Sequence, residues 1–342
     1  MPRRAQIWVS LVVSATLAAV FYPSPATGQD QPAQPVVQEI LARARVFPEM
    51  GPGVIAMKRD SAGRDYILAN PPSAIVIYRA DGKRASQIPG ANSASAKIVY
   101  AEDMDVASDG RIYVADSGAN AVKVFNPDGS LALTIPVVAP TSVAALPDGE
   151  CAVVSRRSDH LVDIFDSQGA LVRSFGDISD LGNRSDPKQL LHRGRLADDP
   201  AGNIYFAFSY LPVPTIRKYD RYGYAAYEIS LSSGELASAG HDEQREFITL
   251  EKRADAPPIR PVNTIAVDPA SQEVWAAIGG DLFHFDKDGN VVADYRTAAN
   301  DGSRIEPTAI LIEPNRILVA GDRLGIFDFA RPDKRPSSTS AP

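Results

Sequence analysis

The chain has 342 residues, a net charge of −7 and only four histidines. An acidic surface argues against nucleic acid or anionic lipid as a partner, because both bind a basic face. The single cysteine, Cys151, excludes an intramolecular disulfide and reads as a buried, inert thiol in the strand-like run ECAVVS; stability must then come from a packed core, for which a chain of this length has ample material.

Residues 1–28 read as a secretory signal. Met1-Pro2-Arg3-Arg4 is basic, 7–22 is mostly apolar, and Ala26-Thr27-Gly28 supplies small residues before Gln29. A membrane anchor fits less well, since Ser10, Ser14 and Thr16 interrupt a run that is already short. No cysteine near the cleavage position offers a lipid attachment point. The expected location is therefore periplasmic or extracellular, with no membrane span in the mature chain. Residues 29–53 form a leader, in which VVQEILARARVF (36–47) has two readings. Helical spacing groups Val36, Ile40 and Leu41, while a strand within 41–47 could close a ring of sheets.

The stretch 101–136 then sets a pattern: AEDMDVASDGRIYVADSGANAVKVFNPDGSLALTIP contains four β-prone runs separated by Asp-Gly, Ser-Gly-Ala-Asn and Pro-Asp-Gly. The pattern recurs. An aromatic followed four residues later by glycine appears as Tyr78/Gly82, Phe125/Gly129, Phe165/Gly169, Tyr219/Gly223 and Phe285/Gly289. An earlier turn (Gly63, Gly110, Gly149, Gly202, Gln272) precedes each by 19, 19, 20, 21 and 17 residues. A shorter copy with Phe327 in the aromatic slot occupies 307–329. Repeats of this length built only from short strands stack radially, each sheet covering its neighbour's face. The prediction is all-β: a six-bladed β-propeller of four-stranded antiparallel blades over 54–330. The blades fall at 54–89, 99–136, 140–175, 195–229, 262–295 and 307–329. Wider spacing after blades three and four marks insertions at 176–193 and 231–261, with DPKQLLHR and DEQREFITLEKR expected to be helical. Residues 331–342 read as a disordered tail.

DMDVASDGRIYVADSGANAVKVFNPDG resembles the NHL repeat, whose form is a strand ending in Asp or Pro, Asp-Gly, a strand ending Val-Ala-Asp, a Gly-x-Asn turn and a strand ending in Phe. The resemblance is strongest in blade two and degenerate in blade six. It implies architecture rather than activity, since such folds host binding scaffolds as well as lyases and lactonases. It also implies that Asp116 and Asn120 stabilise turns.

Aligning the copies exposes one departure on the innermost strand. Glu102, Asp103 and Asp105 occupy slots that are otherwise mostly small, apolar or neutral, with Lys58 in the Asp105 slot of blade one and Arg195 in the Asp103 slot of blade four. Three acids so close raise each other's pKa unless cations or hydrogen-bond donors compensate. Two readings follow. Lys58, with Arg59 or Arg195, neutralises the acids as an ion-pair network; or Glu102, Asp103, Asp105 and Asn263 hold a hard divalent cation such as calcium, which would activate water. The second reading resembles gluconolactonase-type propellers, whose Asn-Gly and Asp-Gly channel motifs have no counterpart here. Peptidylglycine-lyase and virginiamycin-lyase propellers need several channel histidines, and His160, His192, His241 and His284 share no register. DKDGN (286–290) lacks the downstream Glu of a calcium loop and is expected to be a hairpin turn. Asn183-Arg184-Ser185 is a glycosylation sequon.

The second-to-third-strand loops are expected to form the binding face, with Arg156, Arg157, Tyr210 and Arg195 as anchoring residue types. The functional expectation is a non-catalytic scaffold for a protein, peptide or glycan. The alternative is a metal-dependent hydrolase or lyase working in the channel.

Overall fold

In a computed structural model of the protein, the described residues are 37–89, 96–177, 194–209, 214–230, 262–321 and 324–332. They form 25 strands in six sheets. Two short N-terminal strands come first, β1 (Gln38–Leu41) and β2 (Ala44–Val46). Blade 1 is β3 (Val54–Arg59), β4 (Asp65–Ala69), β5 (Ala74–Tyr78) and β6 (Arg84–Ile88); blade 2 is β7 (Ala101–Val106), β8 (Ile112–Asp116), β9 (Ala121–Phe125) and β10 (Leu131–Pro136). Blade 3 is β11 (Pro140–Ala145), β12 (Cys151–Ser155), β13 (His160–Phe165) and β14 (Leu171–Asp177). Blade 4 is β15 (Gly194–Asp198), β16 (Ile204–Phe208), β17 (Thr215–Tyr219) and β18 (Ala225–Ser230). Blade 5 is β19 (Val262–Val267), β20 (Val274–Ile278), β21 (Asp281–Phe285) and β22 (Val291–Ala298), and blade 6 contains β23 (Pro307–Ile312), β24 (Arg316–Gly321) and β25 (Gly325–Ala330).

The meanders are antiparallel throughout and match the blades expected from the turn spacing. Their tight turns are made locally. Asp60, Asp166, Asp199, Asp220 and Asp286 each accept the N–H groups two and four residues on, at 2.8–3.1 Å. Each carboxylate thus replaces the backbone partner that the turn removes. The DKDGN segment is one of these hairpin turns, with Asn290 Nδ2 also donating to Asp286 at 2.9 Å.

Six apolar clusters, one at each interface between neighbouring blades, make up the core. Ile67, Val76 and Tyr78 of blade 1 meet Leu311, Leu318 and Ile326 of blade 6, so the last interface is built like the other five. Each innermost strand contacts the next, and β23 contacts β3, which closes the ring. Burying sheet faces against one another in this way removes the apolar surface that an isolated meander would leave in water.

Closure is covalently staggered. β2 pairs antiparallel with β25, Arg45 opposite Phe327, and supplies the fourth strand of blade 6. The helical reading of 36–47 is not adopted. Immediately before it, β1 pairs parallel with β22, Gln38 opposite Tyr295, and makes blade 5 five-stranded. Ala42 N–H donates to Ala298 O at 2.8 Å and Arg43 N–H to Asp328 O at 2.7 Å, so the short link between the two strands is itself hydrogen-bonded to both blades. The insertions expected to be helical, the sequon and the C-terminal tail beyond 332 lie outside the described residues.

Candidate functional site

The innermost strands present side chains to the axis, and five of the six (all but β15) carry an irregularity near their start. In β7 the shift falls between Ala101 and Asp103, which leaves Glu102 without a partner on β8. A bulge re-aims the side chain it isolates. Glu102 accordingly faces the loop surface, where Arg156 Nη2 donates to it at 2.5 Å and Ser117 Oγ at 3.3 Å. Asp103 and Asp105 stay together on the axial side, both buried.

Every oxygen of this axial pair is engaged. Asp103 accepts Met104 N–H at 2.9 Å and a short hydrogen bond from Ser142 Oγ, and Ser142 in turn accepts Leu196 N–H at 2.9 Å. Arg195 Nη1 lies 3.8 Å from Asp103 and donates to Glu102 O at 2.6 Å. Asp105 accepts Ala145 N–H at 2.7 Å and pairs with Lys58 Nζ at 3.0 Å. These residues come from blades 1, 2, 3 and 4, so the network ties four blades across the axis.

A third axial acid escaped the sequence reading. Asp198, at the end of β15, stands where the other blades have Arg59, Val106, Ala145, Val267 and Ile312. An acid in a slot that is apolar in every other blade but the first was a usable signal. Burial, then the neighbouring Asp105 carboxylate, push the Asp198 carboxyl far above the usual range, and Lys58 relieves it only in part. Burial also raises Asp103, against the pull of Arg195, Lys58 and Ser142. Burial alone would lower the Lys58 ammonium, but Asp105, Asp103 and Asp198 override it and hold it above its ordinary value. Two cations thus face three carboxyls, and the raised Asp198 and Asp103 carboxyls reflect that excess of buried acid.

The remaining channel is narrow and mixed in character, lined by Ile55, Met57 and Ile310 beside Lys58, Arg195 and Thr264. Asn263 sits half-buried on β19 and makes no hydrogen bond to Glu102, Asp103 or Asp105. The proposed metal donors are therefore divided: two acids on the axis, one turned outward, and the amide on another blade. A hard divalent cation requires six to eight oxygens. Recruiting these would strand Lys58 and Arg195 beside a dication, so the donor set as it stands does not fit one. Among the described residues no group of three or more His, Cys, Asp and Glu side chains could hold a metal ion.

Arg59, the other cation considered for the acids, points away from them to Asp65, at 3.3 Å, and to Glu313. His284 is buried, stacked on Trp275 at 3.9 Å between ring centroids, with Glu273 at 3.3 Å. His160 is exposed at the start of β13, and His192 and His241 lie outside the described residues. Burial pushes the Cys151 thiol up to about 12, which makes it inert as a nucleophile.

The loop surface around blades 2 and 3 is built on Asp116 and Asn120. Asp116 is fully buried; it accepts Val99 N–H and Tyr100 N–H at 2.9 Å and Ala119 N–H at 3.1 Å, and pairs with Lys123 at 2.8 Å. Burial works against its charge, but Lys123 and the N–H donors hold its carboxyl below the usual range. Asn120, in the left-handed region at φ 50°, accepts Ala139 N–H at 2.9 Å. These are the Val-Ala-Asp and Gly-x-Asn positions of the repeat, and the NHL repeat family model matches residues 99–125.

The protein is an NHL-repeat β-propeller.

Solved structures similar to this NHL propeller have diverse descriptions. Virginiamycin B lyase from Staphylococcus aureus superposes with a TM-score of 0.51 at 13% identity, covering 84% of this chain and 98% of that one. A calcium-binding protein, regucalcin, from Agrobacterium tumefaciens gives 0.55 at 14% identity, with 86% and 95% covered. The WD40 repeats of RRP9 give 0.54 at 10% identity, with 85% and 99% covered. At such identities the likeness shows the fold alone. No curated protein matches this NHL propeller by sequence. Of the expected anchors, Arg156 is half-buried over Glu102, Arg157 is exposed beside it, Arg195 belongs to the channel network, and Tyr210 lies outside the described residues.

Proposed function

We propose that the protein is a binding scaffold whose ligand, a protein, peptide or glycan, docks on the face formed by the second-to-third-strand loops and the loops entering the innermost strands. The observation that carries this reading is the saturation of the axial acids: the groups best placed for channel chemistry are already committed to Lys58, Arg195, Ser142 and backbone N–H groups. Such a network joins blades and commits these groups to one another rather than to a substrate or a metal. Arg156 and Arg157 on the loop face, together with Tyr210 and with Arg195 at the channel mouth, are the proposed anchors.

The rival reading is a channel hydrolase or lyase using a divalent cation on Glu102, Asp103, Asp105 and Asn263. Its support is the clustering of three acids on one strand. Thermal melts with calcium and with EDTA, together with metal analysis of the purified protein and of Asp105→Asn, separate the two. The scaffold reading expects melting that ignores calcium. Stoichiometric metal that disappears in Asp105→Asn would establish the rival. We further propose that residues 1–28 are removed on export to the periplasm or the medium; a mature N-terminus near Gln29 would support this, and retention of Met1 in the exported protein would overturn it. No helix among the described residues is long and apolar enough to cross a membrane.

A further inference from the structure

Three apolar side chains on the loop face stand out in water: Val99 is 51% exposed, Tyr100 49% and Val138 57%. Single exposed apolar residues are ordinary. These three are unusual because their backbone is fixed. Asp116 clamps the N–H groups of Val99 and Tyr100, while Ser117 Oγ donates to Tyr100 O at 3.3 Å. On the other side of the same turn, Asn120 O accepts Val137 N–H at 3.1 Å and its side chain accepts Ala139 N–H at 2.9 Å. Ser155 Oγ donates to Val138 O at 2.7 Å, and Arg156 N–H donates to Ala139 O at 3.2 Å. The 117–120 turn thus locks the two apolar loops of adjacent blades into one rigid surface, and the ordering cost that usually weakens a loop contact is already met in folding.

The charge around this surface is opposite to that of the chain. Lys97 and Arg157 are exposed and make no ion pair among the described residues, and Arg156 is held upright by Glu102. Asp159 is the exposed acid nearby in sequence. A protein of net charge −7 that gathers cations with no ion pair among the described residues beside rigid apolar groups presents a local complement to acidic, partly apolar ligands. Tyr100 is the one aromatic of the three, and the aliphatic Val99 and Val138 beside it make a surface that suits a seated apolar peptide side chain better than a run of stacked sugar rings.

Resting on the scaffold reading, we infer that Val99, Tyr100 and Val138, flanked by Arg156 and Arg157, form a preorganised docking surface for an acidic peptide segment that seats an apolar side chain between them. The cations steer and orient the segment, and the apolar contact with Tyr100 supplies the anchor.

The test uses the full-length protein and a displayed library of random twelve-residue peptides. Enriched peptides are synthesised with a fluorophore and titrated by anisotropy against wild type, Tyr100→Ala and Arg157→Glu, with circular dichroism confirming that each variant is folded. The expected peptides carry an excess of Asp and Glu around a large apolar residue. Each variant weakens them about tenfold or more, and added salt weakens wild-type binding further. Selection of neutral or basic peptides, of none, or retention of a heparin-type polysaccharide in place of peptides would overturn the inference. Peptides that bind wild type and both variants equally would also overturn this surface while leaving the scaffold reading in place. That reading fails separately, on the calcium and metal measurements.

Discussion

Replacing Lys58 with methionine removes one of two cations from the axial network while keeping most of the side chain's volume. Asp105, with 7% of its side chain exposed, then loses the ammonium 3.0 Å away and faces Asp198 and Asp103 with only Arg195 as counter-charge. Removing one partner of a buried pair costs about 3–5 kcal/mol. Lys58 keeps 27% of its side chain in solvent, which places the loss at about 3 kcal/mol at neutral pH. For a domain of this size that is roughly 5–10 °C in Tm. The loss has a pH signature. With Lys58 gone the folded state takes up a further proton, the carboxyl pKa values being raised above their unfolded values. The folded state then binds more protons than the unfolded one, so stability falls as pH rises, by about 1.4 kcal/mol per pH unit for each such proton. Urea titrations at about pH 5 and pH 7.5 measure this directly. A Lys58→Met loss below about 1 kcal/mol, or one equal at both pH values, would refute the view that the network is a buried, charge-balanced clamp.

Three further outcomes are expected. Burial, with Asp281 adding to it, raises the Asp294 carboxyl to about 6, so its ionisation costs stability as pH rises through that value; Asp294→Asn should gain about 1 kcal/mol at pH 7.5 by urea titration and nothing near pH 4. At Gly118 an added Cβ would lie 2.8 Å from Val99 Cγ1 and 2.9 Å from Tyr100 Cβ, so Gly118→Ala should cost about 1–3 kcal/mol and weaken the selected peptides through displacement of the same loop. Deleting residues 1–47 removes β1 and β2 and bares the edges of β22 and β25; Tm should fall by more than about 10 °C, and limited proteolysis should cut first in blade 6.

Much of the fold was legible because propeller blades announce themselves locally. The aromatic and the glycine four residues later, as in Phe125/Gly129, reflect a buried strand end followed by a hairpin glycine at φ 85°. Such signals repeat, and their spacing counts the blades. β1 carried no such signal: QEIL is short, half polar and follows no turn, and its parallel pairing with β22 depends on a partner more than 250 residues away. The acidic cluster was found by comparing slots, and alternation along the strand already sets Glu102 on the opposite side from Asp103 and Asp105; the bulge at Glu102 and its contact with Arg156 left no mark in the sequence. Asp198 was visible as an acid among equivalents that are apolar except for Arg59, though its effect on Asp105 arises only when blades 2 and 4 meet across the axis. The exposure of Val99, Tyr100 and Val138 was likewise hidden. Strand-like composition does not distinguish a residue entering the core from one held just above it.

On the proposed function, the molecule divides into a channel that stabilises and a loop face that binds. Titrating one selected peptide against Lys58→Met and Arg157→Glu puts that division to the test. The less stable Lys58→Met should bind within about twofold of wild type, and the fully stable Arg157→Glu should bind about tenfold or more weakly. Loss of binding in Lys58→Met with full binding in Arg157→Glu would place the ligand in the channel and contradict the account.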